Sequence, residues 1–223
     1  MDHDLLSAAF PRLVDVVRDR LEHSPACHDW DHTLRVLNNA RHLCRVEGAD
    51  LRVVEYAAVL HDVGRPAELA DQGRTCHAHY GATLVHEILP ALGIADPGFT
   101  DHVAACVRTH RYRNRTADQP ATPEARIVFD ADKLDSLGAI GIGRSFHFAG
   151  RIGARVHNRA DQAQGSASYS REDSAYREFL VKLRHLHERM LTAEGRRLAA
   201  SRHAFMVAFF EQLNREVSGA DFA

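Results

Sequence analysis

The sequence predicts an all-α fold, a bundle of amphipathic helices. Apolar residues recur at steps of three or four along most of the chain, which is the period of one face of an α-helix. No stretch alternates apolar and polar residues as a half-exposed strand does, and no internal repeat or long linker divides the 223 residues. We therefore expect residues 1–223 to form a single domain, with C-terminal helices at about 174–217 completing the core.

The first three helices are indicated by apolar spacing and by residues that cap helix ends. Five regularly spaced apolar residues mark the first helix, and these are Leu6, Phe10, Leu13, Val17 and Leu21. We expect Asp31 to cap the second helix, because aspartate accepts hydrogen bonds from the free N–H groups of a first turn. Asp50 should cap the third helix, "DLRVVEYAAVLHDVG", which we expect to stop near residues 64–66.

The later helices are predicted in the same way. A fourth covers "HAHYGATLVHEILPALG", and a fifth covers "TDHVAACVRTH" with Thr100 as its cap. Thr122 followed by Pro123 predicts the start of a sixth, since proline suits the first helical position. The polar segment 158–173 predicts a mobile surface loop, and two long amphipathic helices near 174–191 and 193–217 should follow it.

Charge and composition exclude several classes of partner. The formal net charge is −2, so there is no global basic field for a nucleic acid polymer or an anionic membrane. No window is apolar over the roughly 18 residues of a membrane span, and the first residues lack a signal-peptide pattern. We expect a cytoplasmic protein. Its four cysteines should be free thiols, and these are Cys27, Cys44, Cys76 and Cys106.

Histidine and aspartate residues recur in three stretches that can carry chemistry. "HDWDHTLRV" contains His32, "AAVLHDVGRPAE" contains His61 and Asp62, and "FDADKLDSLGAIGIG" contains Asp130 and Asp132. The helix before His61 is apolar and should be buried, and a buried carboxylate is costly unless it is paired or binds a metal. The two aspartates of the third stretch are about 200° apart on a helix, so only one can easily face a given point, and the apolar pattern does not choose between them.

These stretches, in this order, resemble the HD superfamily of metal-dependent phosphohydrolases over about residues 25–155. "AAVLHDVGR" resembles the family's H-D-x-G-basic segment, and "HAHYGATLV" resembles its H-x-x-x-G-A helix start. "DADKLDSLGAIGIGRSF" resembles the last-ligand segment of small bacterial members, with Asp132 rather than Asp130 at the A-D-[KR]-L position. The resemblance implies an HD-domain helical bundle with four metal ligands, which are His32, His61, Asp62 and Asp132.

The ligand types fit the chemistry that the resemblance implies. Two imidazoles and two carboxylates suit one divalent transition metal, Mn, Fe, Co, Ni or Zn, better than Mg alone. Such an ion activates water and neutralises phosphoryl charge, while the protein mainly positions the substrate. The resemblance therefore implies hydrolysis of a small phosphorylated metabolite. We expect this metabolite to be a nucleotide. The most specific reaction that the resemblance implies is cleavage of a nucleoside triphosphate to a monophosphate and pyrophosphate.

Further roles are predicted within the same segments. Asp62 can both bind the metal and assist water, and Glu68 can act as a general acid or base, with a solvated loop carboxylate as the alternative for Glu68. Side chains for phosphate are predicted at six positions, which are Arg65, His77, His79, His110, Lys133 and Arg144. Arg111 is a further candidate, and Asp135, one turn after Asp132, can orient neighbouring groups.

His77 and His110 leave the number of metals open. Dinuclear members of the superfamily place two further histidines between the H-D pair and the last aspartate, so a second metal through these residues would allow a dinuclear-iron oxygenase. The G-Y-P signature of cyclic-dinucleotide hydrolases does not follow "HDVGR". We favour one tight metal. A non-catalytic nucleotide-binding module is the remaining alternative, against which the intact ligand set argues, and the last two helices offer a face for a homodimer.

Overall fold

The computed structural model describes residues 3–22, 24, 28–111 and 119–222, and among these residues it contains helices and no strand. The all-α prediction is therefore confirmed. The chain divides into two compact units, Met1–Asp132 and Lys133–Ala223. We describe each unit by itself, and the single domain expected over residues 1–223 stays a prediction.

The described residues of the first unit form seven helices. They are α1 His3–Leu21, α2 Trp30–Glu47, α3 Leu51–Leu60, α4 Arg65–Ala70, α5 His77–Ala91, α6 Pro97–Thr109 and α7 Pro123–Leu134, whose last residues open the second unit. The second unit then contains α8 Gly138–Arg151, α9 Ala160–Gly165, α10 Ala175–Val181, a 3₁₀ helix Leu183–Arg189 and α11 Ala193–Ser218.

Helix α3 lies at the centre of the first unit. It packs against α1, α2 and α6, and most of its side chains are buried. The Tyr56 hydroxyl is fully enclosed and donates to the carbonyl oxygen of Leu6 at 2.7 Å, which satisfies the one polar atom of a large core residue. The last five residues of α3 are all buried, which places its C-terminal end, with His61 and Asp62, in the interior of the first unit.

Two of the predicted helix caps are wrong, and both errors have the same physical reason. The chain turns into each helix earlier than expected, so an aspartate upstream takes the first N–H groups. Asp29, not Asp31, caps α2 by accepting from the His32 N–H at 3.0 Å. Asp96, not Thr100, caps α6, because Pro97 already starts that helix. The caps predicted at Asp50 and Thr122 are confirmed.

In the second unit the structure departs from the two long helices expected after residue 173. The segment near 174–191 is broken at Lys182, which leaves helical geometry and separates α10 from the 3₁₀ helix. The polar segment 158–173, expected as a mobile loop, contains α9, and its buried Asn158 accepts from the Ser174 hydroxyl at 2.6 Å. The long final helix is confirmed as α11, which packs against α8.

Three of the four cysteines lie in the described residues and are free thiols, as expected. They are Cys44, Cys76 and Cys106, whereas Cys27 lies outside the described residues. Among the described helices, none combines the length and the apolar character needed to cross a bilayer.

The turn between α3 and α4 passes unusually close to α5. A Cβ on Gly64 would lie 2.3 Å from the His77 carbonyl oxygen and 2.8 Å from the Gly81 nitrogen, and neither backbone atom can move aside cheaply. Gly81 is the matching residue on α5, where a Cβ would already stand 3.6 Å from the Gly64 nitrogen. These two glycines therefore let the turn carrying His61 and Asp62 pack directly on the start of α5.

We predict that Gly64→Ala lowers the free energy of unfolding by about 3 kcal/mol or more, because the added methyl overlaps backbone. Urea denaturation of the metal-free protein measures this change. Gly143→Ala is the matched control, since no atom lies within 4 Å of that position in α8 and alanine favours a helix. Equal stability of the two variants would contradict the close approach.

Candidate metal centre

Six buried or half-buried side chains of the first unit come together from five parts of the chain. His32 lies in the first turn of α2, His61 and Asp62 form the turn after α3, and His77 is the first residue of α5. His110 directly follows α6, and Asp132 lies in the last turn of α7. All four predicted metal ligands are among these six residues, as are His77 and His110.

The first group consists of His32, His61 and Asp132, whose ligand atoms all lie within 4.8 Å of one another. The Nε2 atoms of His32 and His61 are 3.2 Å apart, and His32 Nε2 is 3.5 Å from Asp132 Oδ1. Asp62 adds its Oδ2, which is 3.7 Å from the Nε2 atoms of both histidines. Two imidazole nitrogens and two carboxylates therefore surround one small volume.

A second group shares Asp62 through its other oxygen. Asp62 Oδ1 lies 3.4 Å from His77 Nε2 and 3.8 Å from His110 Nε2, and these two nitrogens are 3.2 Å apart. Asp62 itself is only 1% exposed. Its carboxylate thus stands between two sets of histidines, one at each oxygen.

Hydrogen bonds at Nδ1 fix the tautomers of three of these rings. His61 donates from Nδ1 to the Ala58 carbonyl oxygen at 2.8 Å, and His110 donates from Nδ1 to the Val107 carbonyl oxygen at 2.6 Å. His77 donates from Nδ1 to Glu68 Oε2 at 2.8 Å. In a neutral ring the proton is then on Nδ1, so Nε2 presents a bare lone pair, which is the form that binds a metal.

Burial determines the charge state of the centre. It lowers the pKa of both His77 and His110, so these rings are neutral at pH 7 and their facing lone pairs at 3.2 Å have no proton between them. Burial also opposes ionisation of Asp62, but Arg65, His61 and His28 outweigh it and hold the pKa of that carboxyl well below its ordinary value. An ionised carboxylate surrounded by lone pairs is a site that a divalent cation fits.

Arg65 and Glu68 form a buried network beside the second group. Arg65 donates from Nη2 to Asp62 Oδ1 at 2.9 Å and from Nη1 to Glu68 Oε2 at 2.6 Å. Arg111 reaches the other oxygen of Glu68, with Nη2 at 2.8 Å from Oε1. Glu68 is 8% exposed, so the alternative of a solvated loop carboxylate is wrong, because α4 turns this side chain inward. Both of its oxygens are held by partners.

His28 was not among the predicted ligands, yet it contacts the centre. Its Nδ1 donates to Asp62 Oδ2 at 2.8 Å, and it forms a third potential metal group with His32 and Asp62. It precedes α2 and is 29% exposed in its side chain, so no helical spacing ties it to His32. Only the density of histidine in "HDWDH" pointed to it.

The remaining candidate residues are not members of these three groups. Asp130 is fully buried but belongs to none of the groups found among the described residues, whereas Asp132 does. His79 is exposed on α5. Lys133 and Arg144 belong to the second unit, where Lys133 is buried and Arg144 donates to Asp135 Oδ2 at 2.9 Å.

The chain is similar to known proteins over most of its length. Residues 29–137 match the family model of the HD domain. YpgQ of Bacillus subtilis strain 168 is 36% identical over 196 residues, which are 87% of this chain and 86% of YpgQ. The crystal structure of Bacillus subtilis YpgQ in complex with ADP is similar with a TM-score of 0.74 and 31% identity, covering 97% of this chain and 99% of that one.

Two further solved structures are similar over almost their whole length. An HD-superfamily hydrolase from Bacillus thuringiensis has a TM-score of 0.73 and 29% identity, covering 96% of this chain and 98% of that one. A predicted HD superfamily hydrolase from an uncultured Thermotogales bacterium has a TM-score of 0.66 and 26% identity, covering 92% of this chain and 91% of that one. This chain therefore belongs to the HD superfamily of hydrolases.

Proposed function

We propose that the protein is a metal-dependent phosphohydrolase acting on a small phosphorylated metabolite, and that this metabolite is a nucleotide. One observation carries the proposal: the buried, ionised Asp62 carboxylate faces histidine Nε2 atoms at each of its two oxygens. The bound ADP of YpgQ, a relative of similar fold, supports a nucleotide as the ligand class. A cytoplasmic location stays a prediction.

In this proposal His32, His61, Asp62 and Asp132 hold one divalent cation. Nitrogen and oxygen donors in equal number favour Mn, Fe, Co, Ni or Zn, and Mg can bind where it is abundant. When bound, such an ion lowers the pKa of water and neutralises charge on a phosphoryl group. The hydrogen bond from His61 Nδ1 to the Ala58 carbonyl oxygen fixes the ring with its Nε2 facing the other ligands, so the ring does not have to reorient when an ion binds.

In this proposal Asp62 binds the metal and assists the attacking water, and its Oδ2 is the oxygen that faces His32 and His61. His28 donates to the same Oδ2 and is half-buried, so it orients this oxygen of Asp62. The acid or base role of Glu68 stays a prediction. Its contacts favour a different task, because accepting from His77 Nδ1 orients that ring.

Recognition of the substrate's phosphate groups is a separate part of the proposal. His77 and His110 lie beside Asp62, where a phosphate oxygen would approach. His79, Lys133 and Arg144 stay predicted phosphate residues. Cleavage of a nucleoside triphosphate to a monophosphate and pyrophosphate is the most specific form of the proposal, and it is supported by the sequence resemblance.

The test is a panel of nucleotides incubated with protein loaded with Mn²⁺, Co²⁺ or Ni²⁺. We expect turnover of at least one nucleoside triphosphate, pyrophosphate rather than phosphate as product, and loss of activity with a chelator. Asp62→Ala, checked for helical content by circular dichroism, should be inactive and should retain little metal. Full turnover by Asp62→Ala would refute the proposal.

Asp132 and Asp130 offer a matched pair of variants, two residues apart on α7. We predict that Asp132→Asn weakens metal binding by roughly 10-fold or more, because it removes a charged oxygen that lies 3.5 Å from His32 Nε2. Asp130→Asn should keep the wild-type metal content, since Asp130 is outside the ligand groups. Elemental analysis of dialysed protein measures both, and the reverse order would assign the ligand to Asp130.

A pH dependence of stability follows from the buried histidine pair. In the unfolded chain both rings take up protons below about pH 6.5, whereas in the folded chain burial lowers their pKa and keeps them neutral. The free energy of unfolding of the metal-free protein should therefore fall as the pH drops below 6.5. A ring that stays neutral in the folded protein contributes about 1.4 kcal/mol per pH unit well below that value.

Replacement of one ring isolates this effect. His110→Gln should make the fall of unfolding free energy below pH 6.5 shallower, because one ring fewer takes up a proton on unfolding. Val107→Ala, a buried neighbour on α6 without a titratable group, controls for loss of stability and should keep the wild-type slope. A slope in His110→Gln equal to that of the wild type would show that His110 is protonated in the folded protein.

A dinuclear-iron oxygenase is the second candidate, and the group formed by Asp62, His77 and His110 is the observation that favours it. Iron-loaded protein with the Mössbauer signature of a coupled pair, together with oxygen consumption and no nucleotide turnover, would select the oxygenase. Nucleotide binding without turnover under any metal would instead indicate a binding module.

A further inference from the structure

Arg65 is placed to control one half of the metal centre. We call the group of His32, His61, Asp62 and Asp132 the first half, and the group of Asp62, His77 and His110 the second half. The Arg65 side chain is 16% exposed and is held at both ends of the guanidinium, by Asp62 Oδ1 and by Glu68 Oε2. Asp62 Oδ1 is the oxygen that faces His77 and His110. Arg65 therefore occupies the carboxylate oxygen that a second cation would need.

The carboxylates of the second half are paired with arginines. Asp62 and Glu68 are met by Arg65 and Arg111, so that two positive charges offset two negative ones. A second divalent cation would therefore have to displace a guanidinium from the carboxylate oxygen that it needs.

Arg65 also lies close to a histidine of the second half. Arg65 Nη1 and His77 Nδ1 both donate to Glu68 Oε2, at 2.6 Å and 2.8 Å. A guanidinium at this distance repels a divalent cation at the same ring by Coulomb's law.

We propose that Arg65 restricts the centre to one tightly bound cation by neutralising the carboxylates of the second position. This inference rests on the proposed function, since it assumes that the first position binds a metal. It makes Arg65 a positioning residue that sets metal stoichiometry, rather than a phosphate ligand, because both of its terminal nitrogens are already engaged with carboxylates.

The experiment counts Mn²⁺ ions on the full chain by equilibrium titration followed by electron paramagnetic resonance, which also detects a coupled Mn²⁺ pair. We expect the wild type to bind one ion tightly. Arg65→Met should bind two, with the second ion held on the order of 10-fold more tightly than in the wild type, the scale on which outer groups tune metal sites. The coupled-pair spectrum should appear only in the variant.

Three controls separate charge from shape and from folding. Arg65→Lys keeps the positive charge and should stay at one ion. His110→Ala placed in the Arg65→Met background should remove the gained ion and leave the first. Arg111→Met removes the other cation beside Glu68 from a more exposed position, so it tests the same charge balance even if Arg65→Met does not fold.

The outcomes distinguish this inference from the proposed function. One ion in the wild type, with no tighter second ion in either methionine variant, overturns the role of Arg65 and leaves the metal site intact. Two tight ions in the wild type, or a second ion in Arg65→Lys, also overturn it. Failure of the wild type to bind any cation overturns the proposed function together with this inference.

Discussion

The ionised carboxylate of Asp62 is the constraint on which the rest of the site depends. A charge that is 1% exposed is costly in the interior unless fixed partners compensate for it. Here Oδ1 accepts a hydrogen bond from Arg65 and faces His77 and His110. Oδ2 accepts a hydrogen bond from His28 and faces His32 and His61. Every element of the first unit that supplies one of these partners must therefore end or begin at this carboxylate.

These partners are brought to Asp62 by a close approach of the α3–α4 turn to α5, rather than by additional polar contacts. The turn carrying His61 and Asp62 lies against the start of α5 because Gly64 and Gly81 leave no side chain between them. His77 begins α5, so the same approach that packs the turn also brings His77 to Asp62. The glycines of the H-D-x-G and H-x-x-x-G-A motifs are thus structural requirements of the site.

Local chemistry in the sequence predicted the parts of this molecule that depend on neighbouring residues. Apolar periodicity located α1, α3, α5 and the long α11, and motif position selected Asp132 where periodicity left Asp130 open. The burial of Glu68 and the contact of His28 with Asp62 could not be predicted, because each depends on packing between segments distant along the chain. The break at Lys182 was missed for the same reason, since an uninterrupted amphipathic pattern does not show where a helix must turn to pack.

The charge balance around Asp62 also links the metal count to the choice of substrate. Facing lone pairs on His77 and His110 need a positive partner, either a cation or a proton. If the two arginines exclude the cation, they also oppose a proton on the pair, so the pair accepts a proton only when an approaching anion offsets the arginines. The same residues would then bind phosphate in a one-metal enzyme and a second ion in a two-metal one, so the arginines that face Asp62 and Glu68 decide which chemistry the shared histidine pair can support.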